Sequence, residues 1–397
     1  MVTIEQIIPS DPEDFPTRFL EALDNPECIW KEVFRTLLSP YQNLLIALFF
    51  SNNRGESIDT LRVNFNSLNK KLCLELGKSF GFYDFKDALR SLESGFISIA
   101  GQIVQFVNPG VRDFLNSFLN NPELILFLPT VAQRADWARN LFQYGMSILS
   151  QSQFQEFSKL FIEFAKRADH YPTFTTSQNG FTQKITKDDL PLGQRIEFLV
   201  SLALESADSS FLREASLIIH RGKLEIIAVE DGYTLPIIHK KLRDSVSLDP
   251  LLCQNLVQQI ENLIINVAEN FGSTGALISL LDAINESMKD GGLPPLISKA
   301  IEDAVTIEVE CVEETISGFN TSHEHGDYLE MLETIEDLSG VDLTYEKDSV
   351  VQEKENVEER EFEEYQFNDE YFSVQSNQKC DELSDKELRS IFHTLVD

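Results

Sequence analysis

A chain of 397 residues, 42% hydrophobic and carrying 29 Phe, is long enough for two or three domains with proper cores. Its formal charge of −32 is uneven: residues 301–397 hold 29 acidic against six basic side chains, leaving −9 to residues 1–300. No basic patch is evident, which disfavours nucleic acid as a partner, because Lys and Arg supply most of that affinity.

The start, Met1-Val-Thr-Ile-Glu-Gln, lacks the basic segment and apolar core of a signal peptide. Residues 1–27, with Pro9, Pro12 and Pro16, read as a leader with little regular structure. Ile29–Phe50 is strongly helical with a break near Ser39-Pro40. Its run Leu44–Phe50 is the longest charge-free apolar stretch, seven residues against the ~20 that span a bilayer, so no membrane partner is expected. Ser57-Ile58-Asp59-Thr60-Leu61 opens a short helix. Asp84–Leu92 forms another, apolar at Phe85, Ala88, Leu89 and Leu92, with Gly95 placed as a helix-ending glycine. Phe96-Ile-Ser-Ile99 and Ile103-Val-Gln-Phe-Val107 are β-prone and flank the turn Ala100-Gly101-Gln102. Asn108 is a good N-cap, Pro109 suits the first helical position, and Val111, Phe114, Leu115 and Phe118 follow at helical spacing. Helix, hairpin and helix in this order are the wing of a winged-helix domain, placed at residues 28–120.

From 121 to 340 the pattern is predominantly helical, with stripes such as Trp137/Leu141/Tyr144/Ile148 and Leu256/Ile260/Leu263/Ile264/Val267. Stacked antiparallel helix pairs bury such stripes, so an irregular, solenoid-like α-helical array is expected, without a repeat that names a family. Leu217–Val229 is β-prone and fits either a hairpin turning at Arg221-Gly222-Lys223 or two helices with a tight junction. Residues 341–381, rich in Glu, Asp, Gln and Ser, read as an acidic flexible linker in a largely disordered tail, punctuated by Phe362, Tyr365, Phe367, Tyr371 and Phe372. In 382–397, Ser384-Asp-Lys-Glu387 is a capping box, and Leu388, Ile391, Phe392 and Leu395 line one face of a terminal helix. So short a helix is marginal alone and should dock, either on its own chain or in a partner's groove. The expected fold class is mainly α.

Little in the chain points to catalysis. The five cysteines are scattered, odd in number and without a CxxC, which suits reduced thiols in the cytoplasm rather than disulfides or zinc. His323-Glu324-His325 is the one histidine cluster, and it lacks the i, i+4 spacing and the third ligand of a metal site. There is no GxSxG elbow. Neither a catalytic residue nor a metal site is assigned.

The segment Leu92–Leu119 resembles the winged helix of the STAND NTPases, the class that includes NLR receptors and many prokaryotic antiviral sensors. Their signature is a strand ending in His-Asp, then a Val-Arg-Asp helix. Val111-Arg112-Asp113 match that helix, and Asn108 falls at the nucleotide-sensing histidine. A prokaryotic subfamily is more similar still, through Phe19-Leu20-Glu21-Ala22-Leu23-Asp24-Asn25-Pro26, Trp30, Phe34 and Asn108–Leu115. The match covers roughly residues 12–125.

The family's ATPase core has no counterpart. The one GKS, Gly77-Lys78-Ser79, has Leu72 where a P-loop needs its first glycine, and it follows a helical run. The resemblance therefore implies a non-catalytic regulatory or sensor portion, with no cofactor of its own. ATP or ADP with Mg belongs to a missing ATPase module in cis or trans. Asn108 and Arg112 would touch nucleotide only with such a module docked on the wing. The implied partner is a foreign protein trigger, with oligomerisation on activation and an effector elsewhere. The alternatives are a free-standing acidic adaptor or inhibitor of a basic protein and, disfavoured by charge, a winged-helix DNA-binding regulator.

Overall fold

A helix that is apolar all round has to lie inside the fold. Leu44–Phe50 follows that rule, every residue of it buried. In the computed structural model it ends the helix Ser39–Phe49 (α2), which begins with Pro40 in its first turn and comes after Pro26–Thr36 (α1). The structure describes residues 26–380 apart from 53, 76, 78, 180–181 and 289–291, with side chains outside 26–29, 177–186 and 364–380. The described chain is mainly helical and contains two compact units, 1–264 and 265–397.

In the first unit, α2 is succeeded by the short strand Glu56–Ser57 (β1), the helices Ile58–Glu75 (α3) and Asp84–Leu92 (α4), and a hairpin of Ile97–Ala100 (β2) and Ile103–Phe106 (β3). The sheet is antiparallel in the order β1-β3-β2, with Glu56 opposite Val104 and Ile97 opposite Phe106. The hairpin turns through Gly101 at φ +62°, where a side chain would be strained. After α4 the left-handed residue is Ser94 (φ 65°), one position before the expected Gly95. Ser94 N–H bonds Ile97 O at 2.9 Å, and that bond fixes the turn in place of glycine's freedom.

Pro109–Leu119 (α5) then returns against α1, with the Phe34 ring meeting Phe114 edge-on (5.3 Å) and Phe118 at a tilt (4.7 Å). A polar thread runs through this core: Asn43 donates to Asn69 (2.8 Å), and Asn69 donates to Asp84 (3.0 Å). Gly77, at φ +62°, lies just past the end of α3 as a helix-terminating glycine.

The rest of this unit is Pro122–Phe127 (α6), a 3-10 turn Leu128–Val131, Ala135–Ile148 (α7), Gln151–Lys159 (α8), Ile162–Ala165 (α9), Leu192–Ser206 (α10), Ser210–Arg221 (α11) and Ala228–Arg243 (α12). Pro250–Glu269 (α13) crosses the boundary between the units. The stripe of α10 sits in a nest of rings, with Phe198 within 6 Å of Phe142, Phe161 and Phe164. Residues 217–229 form the end of α11 and the start of α12, joined through Gly222 at φ +59°, so the helical alternative holds and the hairpin does not. A hairpin occurs instead at Phe174–Asn179 (β4) and Thr182–Lys187 (β5), inside the span expected to be predominantly helical. Thr175, Thr176, Thr182 and Thr186 give it the β-branched character that helical periodicity masked.

The second unit contains Thr274–Ser287 (α14), Pro295–Glu310 (α15), Val312–Ser317 (α16), Ser322–Ser339 (α17) and Thr344–Cys380 (α18). Here the structure overturns an expectation: most of the acidic linker is one helix. Leu343, Val350 and Val357 recur every seven residues and are buried (1%, 0% and 2% exposed), while α17 buries Tyr328, Leu332 and Ile335. The two helices run antiparallel, tied at one end by Lys347–Glu336 and at the other by Glu361 accepting from Ser322 Oγ (2.8 Å). Three apolar side chains among many acids make too thin a stripe to register as amphipathic, yet one apolar position per heptad suffices here, where the facing helix α17 is adjacent in sequence. Truncating Val350 to alanine should cost about 2 kcal/mol. Urea melts monitored by circular dichroism would show it, and an unchanged midpoint would contradict this packing. The expected terminal helix, with Leu388, Ile391, Phe392 and Leu395, and the leader to residue 25 lie outside the described residues.

Candidate functional site

Asn108 caps α5 by the mechanism its sequence context implies. Its backbone is extended (φ −139°, ψ 134°) and its side-chain oxygen accepts from Gly110 N–H at 2.8 Å. One turn on, Arg112 turns back to α2. Its guanidinium lies over the Phe49 ring (5.2 Å) and donates to Phe49 O (3.4 Å), placing a cation on the negative end of that helix. Burial pulls Arg112 below its usual pKa, opposed by the neighbouring Asp113. Arg112 and Asp113 line a cleft of about 380 Å³ with Asn116, Asn140 and Tyr144. The Tyr144 hydroxyl donates to Asn116 O (2.6 Å), and burial pushes it up to about 12. Arg112 is thus engaged in packing two helices of the proposed wing, while Asn108 is exposed beside Trp30.

A buried charge cluster lies elsewhere in this unit, where α7 begins. Asp189, far away in sequence, caps that helix: its two oxygens accept from Asp136 N–H (2.9 Å) and Ala135 N–H (3.1 Å). It also accepts from Leu190 N–H (2.8 Å) and faces Arg195 at 3.6 Å, both side chains 1% exposed. Arg195 spends its other donors on Leu190 O and Ala168 O, each at 2.6 Å. Arg134 holds Asp136 through two contacts (3.3 and 3.2 Å). Arg134 is raised, because Asp136 and Asp189 outweigh its burial. Burial likewise raises Glu56, with Arg134 and backbone amides opposing.

Burial and the adjacent Asp189 push Asp136 from 3.8 to about 7, against the pull of Arg134. A folded-state pKa above the unfolded one means that the native state holds this proton more tightly. The stabilisation is therefore complete below about pH 4 and is lost as pH rises through about 7. Asp136 should contribute a loss of stability from pH 5 to 8 with a slope of at most about 1.4 kcal/mol per unit, on top of that from Asp231, which burial raises to about 6. Asp136→Asn should remove its share. Parallel melts across that range measure the difference, and identical profiles would contradict the assignment.

This cluster was missed in sequence, although one signal for it existed. Arg195 shares the buried stripe of Phe198, Leu199 and Leu202, and an arginine there demands a carboxylate. The histidine pair does not converge: His325 is buried with Nδ1 2.9 Å from Thr321 O, whereas His323 is exposed and lies 3.5 Å from Asp327. No group of three His, Cys, Asp or Glu able to hold a metal occurs among the described residues, and none of their helices is long and apolar enough to cross a membrane. Compared with known proteins, the chain matches no family model, no curated protein and no solved structure.

Proposed function

We propose that the chain is the non-catalytic regulatory and sensor portion of a STAND-type defence NTPase of the cytoplasm. In this reading residues 28–120 are a winged helix, the helical region after it recognises a foreign protein, and a separate ATPase module with its nucleotide and Mg drives an effector. The order helix, strand, two helices, hairpin and helix, with sheet order β1-β3-β2, supports the winged-helix assignment. The observation that carries the reading is the fastening of the wing region to α7. Trp137 Nε1 donates to Ala47 O (3.0 Å), which Ser51 Oγ also reaches, and Asn140 donates to Phe50 O (2.8 Å), so α7 supplies donors to the carbonyls at the end of α2. A module welded to its neighbour in this way suits an intramolecular relay better than a free DNA reader. The exposed residues of α4 and its end, Lys86, Asp87, Arg90 and Glu93, also mix both signs of charge.

A second reading, an acidic adaptor for a basic protein, draws on the exposed Glu355, Glu358, Glu359 and Glu363 of α18. Reading the coding DNA upstream of Met1 in frame tests the first proposal directly. A continuous frame with G-x-x-x-x-G-K-[ST] supports it, and an in-frame stop with a ribosome-binding site after it counts against it. Binding assays separate the others. The adaptor requires association with a basic protein that salt abolishes, and a DNA reader requires a gel shift with a steep salt slope.

A further inference from the structure

A polar cavity of about 510 Å³ opens between the loop after α2, the first turns of α7 and the segment joining β5 to α10, all in the first unit. Three carboxylates line it, and two are already spent. Asp189 caps α7 and faces Arg195, and Asp136 is held by Arg134. Lys187 is likewise committed, bonded to both oxygens of Glu230 (2.6 and 2.5 Å). Two basic groups remain, Arg54 and Arg139, neither of which forms an ion pair among the described residues.

Arg139 donates one nitrogen to Gln194 Oε1 (2.9 Å), while its Nε is buried with no acceptor. A buried guanidinium donor left open costs free energy that an acceptor would recover. Asn52 extends the pattern: its oxygen accepts from Arg54 N–H (3.0 Å), so its amide NH₂ is the group left to donate. In a chain of charge −32, two arginines without an ion pair and a free amide donor line one solvent-open cleft.

We propose that this cavity binds a small-molecule oxyanion, a phosphate or carboxylate group, between Arg54 and Arg139. The volume exceeds what one phosphate fills, so the ligand carries a body or a second anionic group. Asp188, the unspent carboxylate in the lining, opposes that charge and limits affinity. The site stands independently of the function proposed above, because its donors are complete within this chain.

Isothermal titration of the full chain at low salt, with sodium pyrophosphate and separately with citrate, tests the proposal and distinguishes phosphoryl from carboxylate ligands. Binding in the range of 0.1–1 mM, roughly, is expected for at least one of them. Arg54→Gln, an exposed position that leaves the core intact, and Arg139→Gln should each weaken it by about tenfold or more. Asp188→Asn should tighten it, a sign that neither misfolding nor a cation site would give. Absence of heat from both anions at millimolar concentration would overturn the proposal. So would affinities indifferent to the three substitutions, or Mg²⁺ or Ca²⁺ binding that Asp188→Asn abolishes.

Discussion

Replacing Asp189 by alanine should lower the stability of the first unit by about 3–5 kcal/mol, the cost of stranding one member of a buried ion pair. The loss is compound. The substitution removes both acceptors at the start of α7, orphaning the amides of Ala135 and Asp136, and leaves Arg195 charged at 1% exposure, bonded to two carbonyls and without its directly facing carboxylate. For a unit of this size a loss of 4 kcal/mol lowers the melting temperature by roughly 8–16 °C. Asp189→Asn, which keeps one acceptor, should fall between wild type and the alanine variant. Asp189→Ala combined with Arg195→Leu should recover much of the loss, since an apolar pair removes the stranded charge. Thermal and urea melts of the four proteins make the comparison. A loss below 1 kcal/mol for the single alanine variant would mean that water reaches Arg195.

The second large effect is expected at Trp137, the side chain that joins α7 to the end of α2. Its ring is 2% exposed and meets Phe50 edge-on at 5.4 Å, while its indole nitrogen holds Ala47 O at 3.0 Å. Trp137→Ala should cost about 3–5 kcal/mol by leaving a cavity, whereas Trp137→Phe should cost only about 0.5–1.5, since Ala47 O loses one of two donors and keeps Ser51 Oγ at 2.9 Å. The alanine variant should also separate two transitions that melt together in wild type, with limited proteolysis cutting first between α5 and α7. A single cooperative transition in that variant would show that other contacts suffice to hold the wing region against its neighbour.

These residues also show where sequence reading succeeds. Local chemistry was legible: Asn108 as a cap, Gly101 as a turn, and the stripe Phe85/Ala88/Leu89/Leu92 as one face of α4 all depend on neighbours within a few positions. Long-range chemistry was not. Nothing near Asp189 in sequence says that it caps a helix beginning at Ala135, and nothing near Trp137 points to the carbonyl of Ala47. The acidic helix failed for another reason. Composition argued for disorder, and the three aliphatic residues Leu343, Val350 and Val357 that overrule it gain their effect only from the facing stripe on α17. Of the residues selected for a site, Asn108 stands at the start of α5 and Arg112 one helical turn beyond it, and both have structural occupations there.

The acidic helix has one consequence for geometry. Glu361 reaches the start of α17, and α18 continues to Cys380, 19 residues farther. As a helix that length spans about 28 Å. As a flexible coil the same residues would average about 22–26 Å between their ends. The reach hardly differs, but the variance does: a coil samples everything from contact to full extension, whereas the helix holds one value. Cys380 thus stands at the end of a mast rather than a leash, and its distance from Glu361 is set by helix rise instead of by chance encounter.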